Sequence, residues 1–111
     1  MNIYFESKGM QKACSSEKLM RKEWGEQLAR KLRLRLTQLE GFNTLADAVL
    51  VPSIRCHELA GGRKGQLAID LIHPYRLTFR PRHIPLPTKA DGGLDRTKVT
   101  DIVVIEVVDY H

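Results

Sequence analysis

Residues 66–80 read QLAIDLIHPYRLTFR, and this stretch decides the fold class of the chain. Two runs rich in apolar residues, 66–72 and 75–80, are separated only by the pair His73-Pro74. Because proline suits a turn and cannot donate to a strand ladder, the pattern predicts an antiparallel hairpin with a tight connection. Alternation in its second strand predicts two faces, one with Tyr75, Leu77 and Phe79 and the other with Arg76, Thr78 and Arg80.

The last strand is predicted at residues 102–108, which read IVVIEVV. This run is apolar on both faces except at Glu106, a composition that is typical of an interior strand. A further strand is predicted before the hairpin, at residues 54–59, after a loop through Pro52. The second half of the chain is therefore expected to form an antiparallel sheet.

The connection between the hairpin and the last strand has an unusual composition. Residues 81–100 contain three prolines and two adjacent glycines. Such a composition resists regular structure, and a connection of this length in a small domain is usually functional or mobile. We therefore expect a flexible loop at residues 82–100, with its tip at 88–96, that either gates a site or is simply disordered.

Helical periodicity dominates the first half of the chain. After a short strand at residues 3–5, residues 8–24 are compatible with two helical segments, and Ser16 is the expected cap of the second. Leucines at helical spacing predict the longest helix at residues 26–40, followed by Gly41 as a left-handed cap. The stripe consists of Leu28, Leu32, Leu36 and Leu39, and the polar residues around it include Arg33 and Arg35.

Leu34 lies off this stripe, among the basic residues of the same helix. It is either an ordinary exposed leucine or part of a face that a partner protein covers. In chain order, a short strand, a helical hairpin and an antiparallel sheet predict a single α+β domain over residues 1–111.

The size and charge of the chain limit its function. With 111 residues it has one small core and no room for a large cofactor cavity, so we expect a site on a surface or in a shallow groove. The net charge of +5 favours a polyanionic partner, because lysine and arginine neutralise phosphates and release counterions. Charge alone does not distinguish RNA, DNA, a membrane surface and acidic proteins.

Targeting and metal signals are not found in the sequence. No stretch approaches the ~18 apolar residues of a membrane span, and the first residues do not resemble a signal peptide. We therefore expect a cytoplasmic protein without a membrane partner, in which Cys14 and Cys56 are reduced. Neither cysteine lies at a metal-ligand spacing, so no metal and no cofactor are expected.

The positive charge is concentrated in residues 55–82, which carry six basic and two acidic side chains. Within that segment Arg63 and Lys64 lie between glycines, in the sequence GGRKG at residues 61–65. Glycines in a turn let backbone N–H groups approach a phosphate. The turn is therefore either a phosphate contact or an ordinary solvated hairpin turn.

The chain ends in Asp109-Tyr110-His111, directly after the last predicted strand. Histidine titrates near neutrality, as proton transfer requires, and a rigid strand can hold His111 near an arginine of the sheet. Together with Arg76 and Lys64 it suggests a metal-free ribonuclease site. RNA supplies its own 2′-hydroxyl as the nucleophile, so such a site needs a base, an acid and cations around the phosphate. The ring of Tyr110 is suited to stacking on an extruded base.

Three segments carry a family resemblance: RCHELAGGRKGQ at residues 55–66, YRLTFRP at 75–81 and VVDYH at 107–111. Together they resemble the HigB-type toxins of the RelE/ParE superfamily, the killer proteins of bacterial type II toxin–antitoxin modules. The resemblance implies a small α+β fold of the microbial-RNase type and cleavage of mRNA in the ribosomal A site, which leaves a 2′,3′-cyclic phosphate. It also implies a HigA-like helix-turn-helix antitoxin as the partner, and operator DNA bound by the toxin–antitoxin complex.

The resemblance assigns catalytic roles by position. Arg76 matches the family's phosphate-stabilising arginine, and Lys64, with Arg63, matches the basic residues of the preceding turn. The C-terminal group is matched by Asp109, Tyr110 and His111. Within it, His111 is expected to transfer a proton and Tyr110 to orient or stack on a base.

Two further residues are candidate substrate contacts, and the general base is left open. His57 lies in the family's His-Glu-Leu segment and either contacts substrate or makes a structural hydrogen bond; Arg80 is the other candidate. Glu58 and Asp70 are acidic residues of the same region, but strand parity does not place either of them beside Arg76.

Membership of the superfamily leaves the activity open. ParE-type relatives share the fold and inhibit DNA gyrase without cutting RNA. The alternatives to an mRNA endoribonuclease are therefore a non-catalytic gyrase-directed toxin and a basic module that only binds nucleic acid or an acidic partner.

Overall fold

The computed structural model describes residues 1–109, so the roles predicted for Tyr110 and His111 lie outside the described residues. Over residues 1–109 the chain is an α+β domain with four α-helices and one five-stranded sheet, which confirms the predicted class. The strands are β1 (Asn2–Phe5), β2 (His57–Glu58), β3 (Leu67–Asp70), β4 (Tyr75–Pro81) and β5 (Asp101–Asp109). The helices are α1 (Lys8–Ala13), α2 (Glu17–Trp24), α3 (Glu26–Gly41) and α4 (Leu45–Val49). Turns of 3-10 helix cover Pro52–Ile54, Gly61–Arg63 and Arg96–Lys98.

The sheet has the strand order β1-β5-β4-β3-β2. β3 and β4 form the predicted antiparallel hairpin on either side of His73-Pro74, with Asp70 opposite Arg76. β5 lies between β4 and β1, which confirms that it is an interior strand. It is antiparallel to β4 but parallel to β1, so the sheet is mixed rather than purely antiparallel as predicted. The long helical connection that follows β1 permits this parallel pairing.

The helices cover one face of the sheet. Leu32 and Leu39 of α3 belong to one buried cluster with Leu77 and Phe79 of β4, and all four side chains are fully buried. Burial of each such side chain stabilises the fold by about 1.5–3 kcal/mol. Leu77 and Phe79 therefore lie on the covered face, as alternation predicts. Leu34 is 46% exposed, which confirms its place off the apolar stripe.

The ends of the helices follow the predicted signals, with one exception. The Ser16 hydroxyl accepts a hydrogen bond from the backbone N–H of Leu19 at 3.2 Å and caps α2 as expected. Gly41, however, is the last residue of α3 and has no left-handed conformation, so its prediction as a left-handed cap is wrong. Phe42 continues in an extended conformation, and the backbone nitrogen of Met1 donates to the carbonyl of Glu40 at 2.9 Å. A carbonyl group at the end of α3 thus gains a hydrogen-bond donor without a left-handed turn.

The strand predicted at residues 54–59 is shorter than expected. Residues 52–54 form a 3-10 turn that begins at a proline, and Arg55 follows in the left-handed conformation, with φ of 50°. Only His57 and Glu58 pair with β3. Because a left-handed residue breaks the extended run, β2 begins after it.

The connection at residues 82–100 contains more local structure than its composition predicts. An isolated bridge joins Thr88 and Leu94, and a 3-10 turn precedes β5. The ring of His83 accepts a hydrogen bond from the backbone N–H of Thr100 at 3.0 Å. The mobility of this loop stays a prediction. Among residues 1–109, no helix has the length and apolar character needed to cross a membrane.

Candidate functional site

The face of the sheet opposite the helices, here called the open face, carries most of the predicted site. Residues that pair across neighbouring strands project to the same side, so the register identifies its members. Three cross-strand rows lie on it: Asp70, Arg76 and Val108; His57, Ala68, Thr78 and Glu106; and Tyr4, Val103 and Arg80. The predicted placement of Arg76 and Arg80 on one face is therefore confirmed.

Arg76 lies at the hairpin end of β4, beside Asp70. Its Nε atom stands 3.5 Å from Oδ1 of Asp70, and the side chains are 27% and 25% exposed. Arg55 approaches the other oxygen of the same carboxylate, with its Nη1 atom 3.5 Å from Oδ2. The structure thus answers a question that strand parity left open, because, of Glu58 and Asp70, it is Asp70 that lies next to Arg76.

Arg35 of α3 supports this corner from the helical side. Its Nε donates to the carbonyl oxygen of Asp70 at 2.8 Å, and its Nη2 donates to the carbonyl oxygen of Ser53 at 3.3 Å. The side chain is only 7% exposed, so the prediction that Arg35 belongs to the polar circumference is wrong. Burial lowers the pKa of its guanidinium, whereas Asp70 acts in the opposite direction.

A signal for Arg35 is present in the sequence. Together with Leu28, Leu32 and Leu39 it repeats at steps of four, three and four residues, which is the spacing of one helical face. The long aliphatic stem of arginine can lie along a buried stripe while its head reaches polar acceptors. The predicted stripe used Leu36 in place of Arg35 and missed this residue.

The glycine-flanked turn lies at the other end of β3. Arg63 donates to Glu106 Oε1 at 2.8 Å and to Gln66 Oε1 at 3.0 Å, so this predicted substrate contact is held in a bridge to β5. Lys64 is exposed, and no carboxylate of the described residues lies within ion-pair distance of it. The three steps from Leu67 to Asp70 alone span ~10 Å along the strand, so Lys64 and Arg76 lie at separate places on the sheet.

His57 makes the structural hydrogen bond that was one of its two predicted roles. Its Nδ1 donates to the carbonyl oxygen of Arg55 at 2.7 Å. This bond leaves Nε2 as the acceptor of the neutral ring and fixes the turn that carries Arg55. Contact with a substrate through Nε2 stays a prediction.

Arg80 lies at the far end of β4 from Arg76. Its Nε and Nη2 atoms are each 3.0 Å from Oε2 of Glu6, which follows β1. Nearby, the guanidinium of Arg82 lies over the ring of Tyr4, at 3.9 Å from its centroid. The predicted role of Arg80 in binding substrate therefore requires that a phosphate compete with Glu6.

Asp109 is the last described residue of the predicted C-terminal group. It is exposed and pairs with Tyr75, the neighbour of Arg76 in β4, while Val108 pairs with Arg76 itself. β5 thus carries the chain to Arg76. Tyr110 and His111, the other members of the group, lie outside the described residues.

The two cysteines are free thiols. Cys56 is buried beside the site, and this burial raises its pKa to about 11; Arg96 lowers the pKa and Glu58 raises it by smaller amounts. Burial likewise raises the pKa of Cys14 to about 11. Because the thiolate is the nucleophilic form, neither thiol is suited to nucleophilic chemistry at neutral pH.

Comparison of the chain with protein-family models and with curated proteins gives no match. The likeness to HigB-type toxins therefore depends on the three sequence segments at residues 55–66, 75–81 and 107–111.

Proposed function

We propose that the chain is the toxin of a type II toxin–antitoxin module, a HigB-like protein with a RelE/ParE-type fold that cleaves mRNA on the ribosome. The observation that carries this proposal is the register of β4 and β5. It places Val108 opposite Arg76, on the face of the sheet that the helices leave open, and Asp109 opposite Tyr75, the neighbouring residue of β4. A cationic group and the segment that resembles the family's C-terminal group therefore approach the same place.

In the proposed reaction, the RNA 2′-hydroxyl attacks the adjacent phosphorus and the 5′-oxygen leaves, so that a 2′,3′-cyclic phosphate forms. Arg76 stabilises the negative charge that develops on the phosphate, since a guanidinium can donate two parallel hydrogen bonds to it. His111 transfers a proton, and Tyr110 stacks on or orients a base. Lys64, some distance along β3, contacts a neighbouring phosphate of the same RNA.

The proposed partners follow from the same resemblance. A helix-turn-helix antitoxin neutralises the toxin, and the complex binds operator DNA. The 46% exposed side chain of Leu34, on the outer surface of α3, is a place where such a protein would gain apolar contact. No membrane partner is proposed.

Expression in growing bacteria tests the proposal. We expect the wild-type chain to stop growth and Arg76→Gln to remove this effect, because the transition-state charge then lacks its guanidinium. Arg30→Gln is the matched control, since Arg30 is an exposed arginine on the helical side of the molecule. Thermal unfolding of both purified variants verifies that the fold is retained.

Mapping of mRNA 5′ ends in the same cells separates the alternatives. Ends in register with the reading frame support ribosome-dependent cutting. DNA breaks without such ends would indicate a gyrase-directed toxin, and a chain with no effect on growth would indicate a binding module. Undiminished toxicity of Arg76→Gln would contradict the proposed site.

A further inference from the structure

The arginines around the open face differ in how they meet carboxylates. Arg63, Arg80 and Arg96 each donate a hydrogen bond to a glutamate of their own, at 2.7–3.0 Å. Arg55 stands 3.5 Å from Asp70, beyond the ~2.7–2.9 Å of a charge-assisted hydrogen bond. Its side chain is 65% exposed and donates no hydrogen bond to any of residues 1–109. The guanidinium of Arg55 is therefore available to a ligand.

The charges in this corner do not balance. Arg35 and Arg55 have Asp70 as their one acidic neighbour within the described part of the chain. Arg35 is buried and hydrogen-bonded only to neutral acceptors, the carbonyls of Asp70 and Ser53 and the amide of Gln38. Arg76 approaches the same carboxylate. Even without counting Arg76, the single carboxylate of Asp70 interacts with two positive charges, those of Arg55 and Arg35, and an anion would compensate the excess.

The backbone of Arg55 is held in place before any ligand arrives. Its N–H donates to the carbonyl of Pro52 at 3.2 Å, and its own carbonyl accepts from His57. The residue occupies the left-handed region, with φ and ψ both 50°, which a side chain other than glycine seldom adopts. The backbone at this position is therefore already ordered, and its ordering adds no entropic cost when a ligand binds.

A small cleft lies beside these groups, between the turn that ends at Arg55 and the β3–β4 hairpin. It has a volume of about 100 Å³, and its walls include Arg55, Asp70, His73, Tyr75 and also Arg76. This volume is too small for a nucleotide, since sites for small organic ligands occupy ~300–1,000 Å³. It is suited to a single phosphate group. The ring of Tyr75, which is 38% exposed, offers a stacking surface at the rim.

We propose that this cleft, here called the Arg55 cleft, binds a backbone phosphate of single-stranded RNA next to the scissile one. The guanidinium of Arg55 donates to the phosphate, Asp70 partly neutralises Arg55 and Arg76 while the cleft is empty, and Tyr75 stacks on the attached base. Arg35 is a positioning residue that joins the turn to the end of β3. The inference rests on the proposed function for its substrate, since it places a neighbouring phosphate of the RNA that reaches Arg76.

Binding of a short single-stranded RNA with 2′-O-methyl groups tests the cleft without cleavage. Fluorescence anisotropy is measured over a series of salt concentrations for the wild type, Arg55→Gln and the control Arg30→Gln. We expect Arg55→Gln to weaken binding about tenfold at low salt and to reduce the slope of log K against log salt by about one. Arg30→Gln is expected to bind as the wild type does. Equal affinity and slope for Arg55→Gln would overturn the assignment.

Two further measurements identify the ligand class. Asp70→Asn is expected to tighten RNA binding several-fold, because the competing carboxylate is removed; weaker binding would contradict the role given to Asp70. Polyglutamate of equal charge is expected to displace the RNA poorly. Efficient displacement that depends on Arg55 would overturn the RNA assignment in favour of an acidic protein.

The same variants separate the cleft from the proposed reaction. Loss of RNA binding in Arg55→Gln, together with a wild-type chain that cuts no mRNA, would support the cleft and reject the proposed function. Cleavage of mRNA at the wild-type rate by Arg55→Gln would support the function and reject the cleft.

Discussion

At the scale of single residues, Arg35 connects the three parts that meet at the site. It extends from the buried stripe of α3 and donates to carbonyls of β3 and of the turn before Arg55, at Asp70 and Ser53. Burial of a guanidinium costs free energy, and the lowered pKa of Arg35 has this cause. The three hydrogen bonds of its guanidinium offset part of this cost.

We predict that Arg35→Met lowers the free energy of unfolding by about 1–2 kcal/mol, measured by urea denaturation. Methionine keeps much of the aliphatic stem but leaves the carbonyls of Asp70 and Ser53 unpaired; the removal of a buried charge makes the loss smaller than the sum of three hydrogen bonds. The control is Arg30→Met, an exposed site on the same helix, for which we expect a change within about 0.5 kcal/mol. Equal stabilities of the two variants would show that the bonds of Arg35 do not stabilise the fold.

At the scale of elements, two glycines at the ends of α3 have opposite backbone requirements. Gly25 precedes the helix with φ of 80° and ψ of 166°, a region that is essentially restricted to glycine. Gly41 ends the helix with ordinary helical geometry. A β-carbon built at either position meets nothing within 4 Å, so the backbone alone distinguishes them.

Alanine substitutions at these two positions are therefore expected to change stability in opposite directions. Gly41→Ala should raise the free energy of unfolding by about 0.5 kcal/mol, because alanine restricts the unfolded chain and favours the helix. Gly25→Ala should lower it by at least ~1 kcal/mol through backbone strain. Thermal denaturation of both variants measures the difference. Destabilisation by Gly41→Ala would mean that the end of α3 needs a conformation other than the one described.

The sequence correctly predicts the elements in which apolar residues recur at regular spacing. The hairpin around His73-Pro74, the interior strand β5 and the helices α1 to α3 are local patterns that can be recognised one segment at a time. The short helix α4, at Leu45–Val49, lies where the sequence predicts a loop. β2 is different, since Arg55 takes a left-handed conformation that no local signal requires. The pairing of Asp70 with Arg76 depends on the register between two strands, and the burial of Arg35 depends on acceptors from other elements. The periodic pattern of one segment does not predict such contacts between distant segments.

At the scale of the whole molecule, basic side chains occur on both sides of the sheet. Five lysines of the helices have no carboxylate of the described residues within ion-pair distance: Lys8, Lys12, Lys18, Lys22 and Lys31. Arg55, Arg76 and Lys64 lie on or beside the open face. A polyanion that surrounds the chain, as ribosomal RNA would, can contact both sides, whereas a free single strand meets one side at a time.

We therefore predict that the purified chain cuts mRNA in programmed ribosomes at least ~100-fold faster than it cuts the same mRNA free in solution. The physical reason is positioning: the Arg55 cleft beside Arg76 holds about 100 Å³, enough for a phosphate but not for a nucleotide, so this corner does not by itself hold the attacking 2′-hydroxyl in line with the leaving oxygen. A ribosome that presents a constrained codon supplies that alignment. The measurement is the initial rate on each substrate, with Arg76→Gln as the control for contaminating nucleases, which would cut free mRNA regardless of the variant. Equal rates on free and ribosome-bound mRNA, both abolished by Arg76→Gln, would mean that the open face orients RNA by itself.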